Sequence, residues 1–326
     1  MHSVSVIIPI YNAARDLPRC FATLDAQTCA DVQVVLVNDG STDDSLSLCR
    51  AYAAQNANAI ELSQANAGAA AARNAGLDAA DGAYIAFFDA DDAVSPDMLQ
   101  TLLALCEAND CDVAQCGLLA VKPDATAFAF RAASEPPLTI TGVELIGRIY
   151  GADYASTVVL WNKLYRRALW QGLRLPTGHI CEDEAILHEV FYRAKRVAIT
   201  DAALYAYRLS ENSVMRQKGS LKRLDILWAL ERRGDFLRAH RLDELAALNN
   251  KLLLTQYLHC YNYLRDECAP TPEVKRKRRE LVRAYRAAWR ALPASICSRK
   301  QCLQYAVYAL CPRSERWVSR WLGKRG

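Results

Sequence analysis

The stretch Ala86-Phe87-Phe88-Asp89-Ala90-Asp91-Asp92 ends an apolar run, Tyr84 to Phe88, with three aspartates in four residues. Carboxylates that close repel one another, and aspartate favours turns over strands, so something must offset the arrangement. Two offsets fit the residue types. One is a strand-ending turn in which an aspartate caps the next helix, Asp92 ahead of Pro96 being the candidate. The other is a hard divalent cation, held by carboxylate oxygens beside a sugar hydroxyl. Other metal chemistry has less to stand on. Cys106, Cys111 and Cys116 recur every five residues, which matches no common zinc spacing, and His2, His188, His240 and His259 show none either.

The elements that must position these aspartates alternate in type. VSVIIPIY, VQVVLVND, AIELS and AYIAFF are short apolar runs that read as strands. Between them, Ala13 to Gln27, Asp43 to Gln55 and the Ala-rich Ala69 to Ala80 read as helices. Alternation of this kind, with continuous apolar strands, implies an α/β fold: a mostly parallel sheet covered on both faces. Ligands of such sheets bind beyond the carboxyl ends of the strands, where Asn38-Asp39-Gly40 and Asp89 to Asp92 both fall. Further on, Met98 to Cys106 reads as a helix and VAQCGLLAV as another strand. Phe128 to Gly142, with Pro136-Pro137, reads as a connector or edge strand. From about Ser220 the pattern is helical almost throughout. We therefore expect two regions, residues 1–218 and a helical C-terminal region, residues 219–326.

The 326 residues suffice for one large domain and a smaller region, and 52% hydrophobic with 23% charged residues is a globular composition. No window approaches the roughly 20 apolar residues that span a bilayer. The N-terminal MHSVSVIIPIYN lacks a basic lead and a cleavage site, so it reads as a first strand and not as a signal peptide. The twelve cysteines include no C-x-x-C pair and read as buried or half-buried thiols of a reducing compartment.

Four strand-end pieces stand together in the first half. They are Pro9-Ile10-Tyr11-Asn12, Val37-Asn38-Asp39-Gly40-Ser41-Thr42-Asp43, Asn66-Ala67-Gly68 leading into Ala72-Arg73-Asn74-Ala75-Gly76, and the aspartates. Their order and spacing resemble the family 2-like inverting glycosyltransferases with the GT-A fold, a Rossmann-like architecture, over roughly residues 3–215. The resemblance implies a nucleotide-sugar donor, a UDP-sugar above all, with Pro9, Tyr11, Asp39, Arg73, Asp89, Arg208 and Ser213 around it. The residue types suit that role. Tyr11 could stack on a pyrimidine while Asp39 accepts from the ring N–H, and Arg73 offers a forked cation to phosphate or base oxygens.

Asp89-Ala90-Asp91 matches the D-x-D element of these enzymes, which makes Asp91 and Asp89 the expected ligands of Mn²⁺ or Mg²⁺. Cys181-Glu182-Asp183-Glu184 resembles the E-D element, which implies Asp183 as the base that takes the acceptor hydroxyl's proton, with Glu182 as the fallback. The other reading of this cluster is a helix start whose charge the dipole stabilises. Trp161-Asn162-Lys163 through Arg166 resembles the W-x-K-x-x-R element, so Trp161 and Lys163 are expected to support donor or acceptor; a buried structural tryptophan is the alternative. Tyr207-Arg208 with Ser213 resembles the Y-R…S element near the diphosphate. The Q-x-x-R-W element of processive synthases is absent from the sequence, so transfer of one or a few sugars is expected.

Charge is divided unevenly. Thr271 to Gly326 carries 15 Lys and Arg against 3 Asp and Glu, while the rest of the chain is net acidic. Arg276, Arg279, Arg283, Arg286 and Arg290 recur at three- and four-residue spacing, with Val282, Tyr285 and Trp289 on another face. Arg313, Arg316 and Arg320 repeat the pattern beside Trp317 and Trp321. Such helices suit an anionic membrane surface, and the alternative is a solvated face; no nucleic-acid fold is recognised. The expected protein is a cytoplasmic, metal-dependent, non-processive hexosyltransferase, peripheral on the inner face of the plasma membrane. Its acceptor is a glycan or a lipid-linked chain in cell-surface polysaccharide or lipopolysaccharide biosynthesis. Two rivals stand beside this reading: a sugar-phosphate nucleotidyltransferase, and an inactive nucleotide-sugar or glycan binding module.

Overall fold

The computed structural model describes residues 2–122, 125, 127–209 and 219–311. The chain forms two compact units, Met1–Ser213 and Val214–Gly326. The first is built on nine strands: β1 (Val4–Ile10), β2 (Val32–Asp39), β3 (Ala59–Gln64), β4 (Tyr84–Phe87), β5 (Ala93–Val94), β6 (Val113–Val121), β7 (Leu138–Ile140), β8 (Lys163–Arg166) and β9 (Val197–Arg208). They lie in the order β3-β2-β1-β4-β8-β6-β9-β5, with β7 on β9. The helices are α1 (Leu17–Asp25), α2 (Ser45–Gln55), α3 (Ala69–Ala79), α4 (Met98–Asn109), α5 (Gly142–Arg148), α6 (Tyr154–Thr157) and α7 (Glu182–Arg193).

The parallel sheet expected from the apolar runs is found in β3-β2-β1-β4, where every neighbouring pair is parallel. Each of these strands is followed by a helix or a long connection, and parallel neighbours need such crossovers. Beyond β4 the sheet is mixed. β8 runs antiparallel to β4 and β6, β9 is parallel to β6, and β5 and β7 are antiparallel to β9. Burial explains why the first half was readable: all eight residues of β2 and all of β1 except Pro9 are buried.

The strand order makes a switch point at β1, with β2 on one side and β4 on the other. The crevice beyond their carboxyl ends is where such folds take ligands. Pro9 helps to open it. The last ladder bond between the two strands runs from the Phe88 N–H to the Ile7 carbonyl, 3.1 Å. Residues of one parity face β4, so the N–H that Pro9 lacks would point to where the ladder has already ended.

The second unit consists of α8 (Asp225–Ala239), α9 (Asp243–Asp266), α10 (Pro272–Arg290) and α11 (Arg299–Leu310). Thr271 caps α10 by accepting from the Val274 N–H at 3.2 Å, and Pro272 occupies its first turn. α11 opens with a capping box of Ser298 and Gln301. α10 buries Val274, Leu281 and Tyr285, with Val282 and Trp289 partly covered against the same core. Of the apolar stripe read from the sequence as a membrane-facing surface, Tyr285 is buried in the unit's own core, while Val282 and Trp289 are half-buried against it. Arg313, Arg316, Trp317, Arg320 and Trp321 lie outside the described residues, as does Ser213. Among the described residues no helix is long and apolar enough to cross a membrane. Eight of the twelve cysteines are buried, and no disulfide joins those described.

Candidate active site

The turn after β2 is held by its own aspartate. Asp39 is buried, and its carboxylate accepts from Gln64 Nε2 (2.6 Å) and from the N–H groups of Ala67 (2.9 Å) and Gly68 (2.8 Å). Gly40 makes this closeness feasible. Its φ is +70°, and a Cβ there would lie 2.7 Å from the Asn66 nitrogen. Asp39 therefore anchors the loop that starts α3, and Oδ2, with one donor, keeps a lone pair for another. Beside it, Tyr11 stands 53% exposed at the end of β1. Its neighbour Asn12, at φ +49°, is tied to the β2 loop by the Thr42 N–H (2.8 Å) and the Ser41 hydroxyl (3.0 Å).

The three aspartates after β4 have three different fates. Asp89 Oδ1 accepts from Arg73 Nη2 at 2.7 Å. Asp92 is buried, and its carboxylate accepts from the Tyr205 hydroxyl and the Arg208 N–H, both at 2.8 Å. It does not cap the next helix, because its partners are on β9. Asp91 is half-buried, and no side chain among the described residues donates to its carboxylate. Its backbone carbonyl accepts from Arg19 Nη2 at 2.8 Å. Burial, then the charge of Asp89, pushes the Asp91 carboxyl up to about 6, and the same causes hold Asp92 well above the usual range.

Tyr205 is the residue that sequence reasoning missed. Its hydroxyl accepts from the Asp89 N–H (3.2 Å) while donating to Asp92, so it joins both ends of the acidic turn. Its ring stacks on Trp161 at 4.2 Å, and Tyr207, two residues on along the same face of β9, stacks on Trp161 at 5.4 Å. The recurrence Tyr205, Tyr207 was the available signal; its partner was not visible. Arg208 ends the same strand, with its guanidinium 3.0 Å from the Ala125 carbonyl and 3.9 Å from Asp16.

Arg73, on α3, clamps two carboxylates that are far apart in sequence. Nη1 donates to Glu182 Oε1 at 2.6 Å and Nη2 to Asp89. Burial opposes its charge, but Asp89 and then Glu182 outweigh that and raise the guanidinium above its ordinary value. Removing one member of so buried a group typically costs about 3–5 kcal/mol, so Arg73 supports the site as much as it could touch a ligand. At the start of α7, Glu182 is occupied by Arg73 and Glu184 by the Tyr154 hydroxyl. Among the described residues, Asp183 accepts only from the Glu184 N–H, at 2.8 Å.

A cavity of about 400 Å³ collects Arg73, Asp89, Trp161, Glu182, Asp183 and Tyr207, with Val158, Val159 and Leu160 as apolar wall. Pro9, Tyr11, Asp39, Asp91 and Arg208 do not line it. Lys163 lies behind it, fully buried. Its amine donates to the Ser156 and Val159 carbonyls (2.8 and 2.7 Å) and to Asn162 Oδ1 (2.8 Å), so it braces the loop that carries Trp161. Burial drives that amine well below the ordinary lysine range.

Burial, then the charges of Glu182 and Glu184, pushes Asp183 up to about 8. An aspartate whose folded value exceeds its unfolded value of roughly 3.9 binds protons better in the folded chain, so stability falls as pH rises through that window. Thermal melts of the ligand-free protein are expected to show lower midpoints at pH 8 than at pH 5, and Asp183→Asn should flatten the upper part of that slope. An unchanged slope in the variant would show that Asp183 is not the group titrating there.

Comparison with known proteins agrees with this architecture. Residues 5–188 match the family described as Glycosyl transferase family 2. Over 227 residues the chain is 35% identical to the uncharacterized glycosyltransferase YibD of Escherichia coli (strain K12), covering 66% of this chain and 64% of that one. Over 215 residues it is 34% identical to the uncharacterized glycosyltransferase EpsJ of Bacillus subtilis (strain 168), covering 65% and 62%. The aligned stretch is thus a little under two thirds of either relative. In fold, the chain superposes on the crystal structure of S. aureus TarS 1-349 in complex with UDP-GlcNAc with a TM-score of 0.73 at 20% identity, over 99% of this chain and 92% of that one. With strand order, acidic turn and family match in agreement, this chain belongs to glycosyl transferase family 2.

Proposed function

We propose that the protein transfers one hexose, with inversion, from a UDP-sugar to a hydroxyl of a glycan or lipid-linked acceptor in cell-surface polysaccharide synthesis, at the cytoplasmic side of the membrane. The observation that carries this reading is Asp183, the acid at the start of α7 that has no side-chain hydrogen-bond partner among the described residues, lining the same cavity as Asp89 and Arg73. Asp183 accepts the acceptor's proton as the acceptor oxygen bonds to the anomeric carbon, and the sugar's bond to the diphosphate breaks with its electron pair leaving on the diphosphate. A carboxyl raised into the neutral range is matched to that task. Tyr11 is exposed enough to stack on the base, and Asp39 retains a lone pair for the ring N–H.

The residues fit a divalent cation that keeps places for phosphate and water. Among the described residues no group of three or more His, Cys, Asp or Glu could enclose an ion, while Asp91 and the second oxygen of Asp89 are hard oxygen donors in one turn. When bound, Mn²⁺ or Mg²⁺ would neutralise the departing nucleoside diphosphate. UDP is favoured as the nucleotide because the TarS structure was obtained with UDP-GlcNAc. Family membership sets the nucleotidyltransferase rival aside.

A thermal-shift screen of the full chain with Mn²⁺ and UDP-, GDP- and CMP-sugars tests the donor. A ligand at 100 times its dissociation constant stabilises by roughly 2.7 kcal/mol, so a UDP-sugar should raise the midpoint clearly. Stabilisation by GDP- or CMP-sugars alone would overturn the donor assignment, and donor binding with neither transfer nor hydrolysis would return the inactive binding module.

A further inference from the structure

A second cavity, of about 530 Å³, lies within the C-terminal unit between α9 and α10. One face of α10 lines it with Lys275, Arg278, Arg279, Val282, Arg283 and Arg286, and Tyr261 of α9 forms the opposite wall. No aspartate or glutamate lines it. Glu280, the acid in the middle of α10, pairs instead with Arg276 and Lys277 at 2.7 and 3.6 Å. Among the described residues none of the five groove cations has a carboxylate partner.

These cations are spaced at three and four residues, so like charges face one another along the helix, each such pair costing about 0.2–0.5 kcal/mol. Arg278 is held against Tyr261, its Nη2 3.2 Å from the hydroxyl and its guanidinium carbon 5.0 Å from the ring centre. Its Nε is buried without a partner. Arg286 is tied by its Nε to the Ala309 carbonyl at 2.7 Å, while Lys275, Arg279 and Arg283 are exposed and present their charge to an anion along the helix. Twelve residues of helix, Lys275 to Arg286, separated by eleven rises of about 1.5 Å, make the row about 16 Å long.

We propose that this groove binds a linear glycan chain bearing several phosphate esters, laid along α10 so that Lys275, Arg279 and Arg283 meet successive phosphates. That this chain is the acceptor rests on the function proposed above; the binding itself does not. A bilayer is the poorer occupant, because α10 buries Val274, Leu281 and Tyr285 in the unit's core and leaves Val282 as the aliphatic residue it turns to the groove. Tyr261, the ring that lines the groove, is buried beneath Arg278 and offers no stacking face to single-stranded bases.

The test is calorimetric titration of the full-length protein with linear inorganic polyphosphate, with orthophosphate and with phosphatidylglycerol-containing vesicles. Polyphosphate should bind saturably and more tightly than orthophosphate at equal phosphate. Arg279→Gln with Arg283→Gln should weaken it by about tenfold or more, two charge-assisted contacts being lost, and lower the slope of affinity against salt. Arg276→Gln with Lys277→Gln removes equal charge from outside the groove and should change affinity little. Both pairs are partly or fully exposed, so circular dichroism should show intact folding, and a retained UDP-sugar thermal shift separates this result from failure of the donor reading. Equal losses in both double variants, polyphosphate no better than orthophosphate, or binding to vesicles alone would overturn the proposal.

Discussion

Asp183→Asn is expected to lose about 10² to 10⁴ in turnover, the usual contribution of a positioned general base, while keeping its affinity for donor. The amide preserves shape, and its oxygen can still accept the Glu184 N–H that now meets Asp183 at 2.8 Å. What it lacks is the ability to take the acceptor's proton. Glu182→Gln should behave differently. Glu182 faces Arg73 at 2.6 Å, so losing its charge leaves a buried guanidinium less compensated and disturbs Asp89 through the shared clamp. Its main signature should be a lower melting midpoint. Single-turnover kinetics beside thermal melts separates the two variants. Turnover of Asp183→Asn within a few-fold of wild type, with Glu182→Gln inactive but folded, would move the base by one residue.

The second large effect is expected at Asp91. In Asp91→Ala, donor affinity measured with Mn²⁺ should fall to the value measured with chelator, a loss larger than the roughly 10–100-fold typical of removing only an outer-shell partner of a metal. Stability gives the internal control. Among the described residues the Asp91 carboxylate receives no side-chain donor, and burial and Asp89 raise it to about 6, so above that pH the fold carries an unfavourable charge there. The variant should melt no lower than wild type at neutral pH, although it no longer responds to the cation. Unchanged Mn²⁺-dependent affinity would show that the acidic turn serves the fold only. Asp92→Ala makes the contrast, since it strips partners from Tyr205 and the Arg208 N–H and should destabilise before it affects donor binding.

How much of this was legible beforehand follows from what a sequence encodes. The runs VSVIIPI and VQVVLVND announced buried strands, because continuous β-branched apolar residues have nowhere else to go in a globular chain, and they are β1 and β2. The acidic turn after β4 was visible because charge at the end of an apolar run is costly and needs a reason, whereas the acids opening α7 stood out through their resemblance to the E-D element. Periodicity reports burial, however, and not partners. That Arg73 would hold both Asp89 and Glu182, the latter 109 residues away, depends on β8 and α7 being brought back beside β4. The antiparallel sense of β8, the buried amine of Lys163 and the bridging hydroxyl of Tyr205 are likewise products of that return. The same holds for α10. Its charges were evident in the sequence, but only packing against α9 decided that its apolar stripe faces inward and its cations line a groove. Residue type sets the strength and sign of each interaction, whereas the distance at which it acts is set by the path of the chain between the partners.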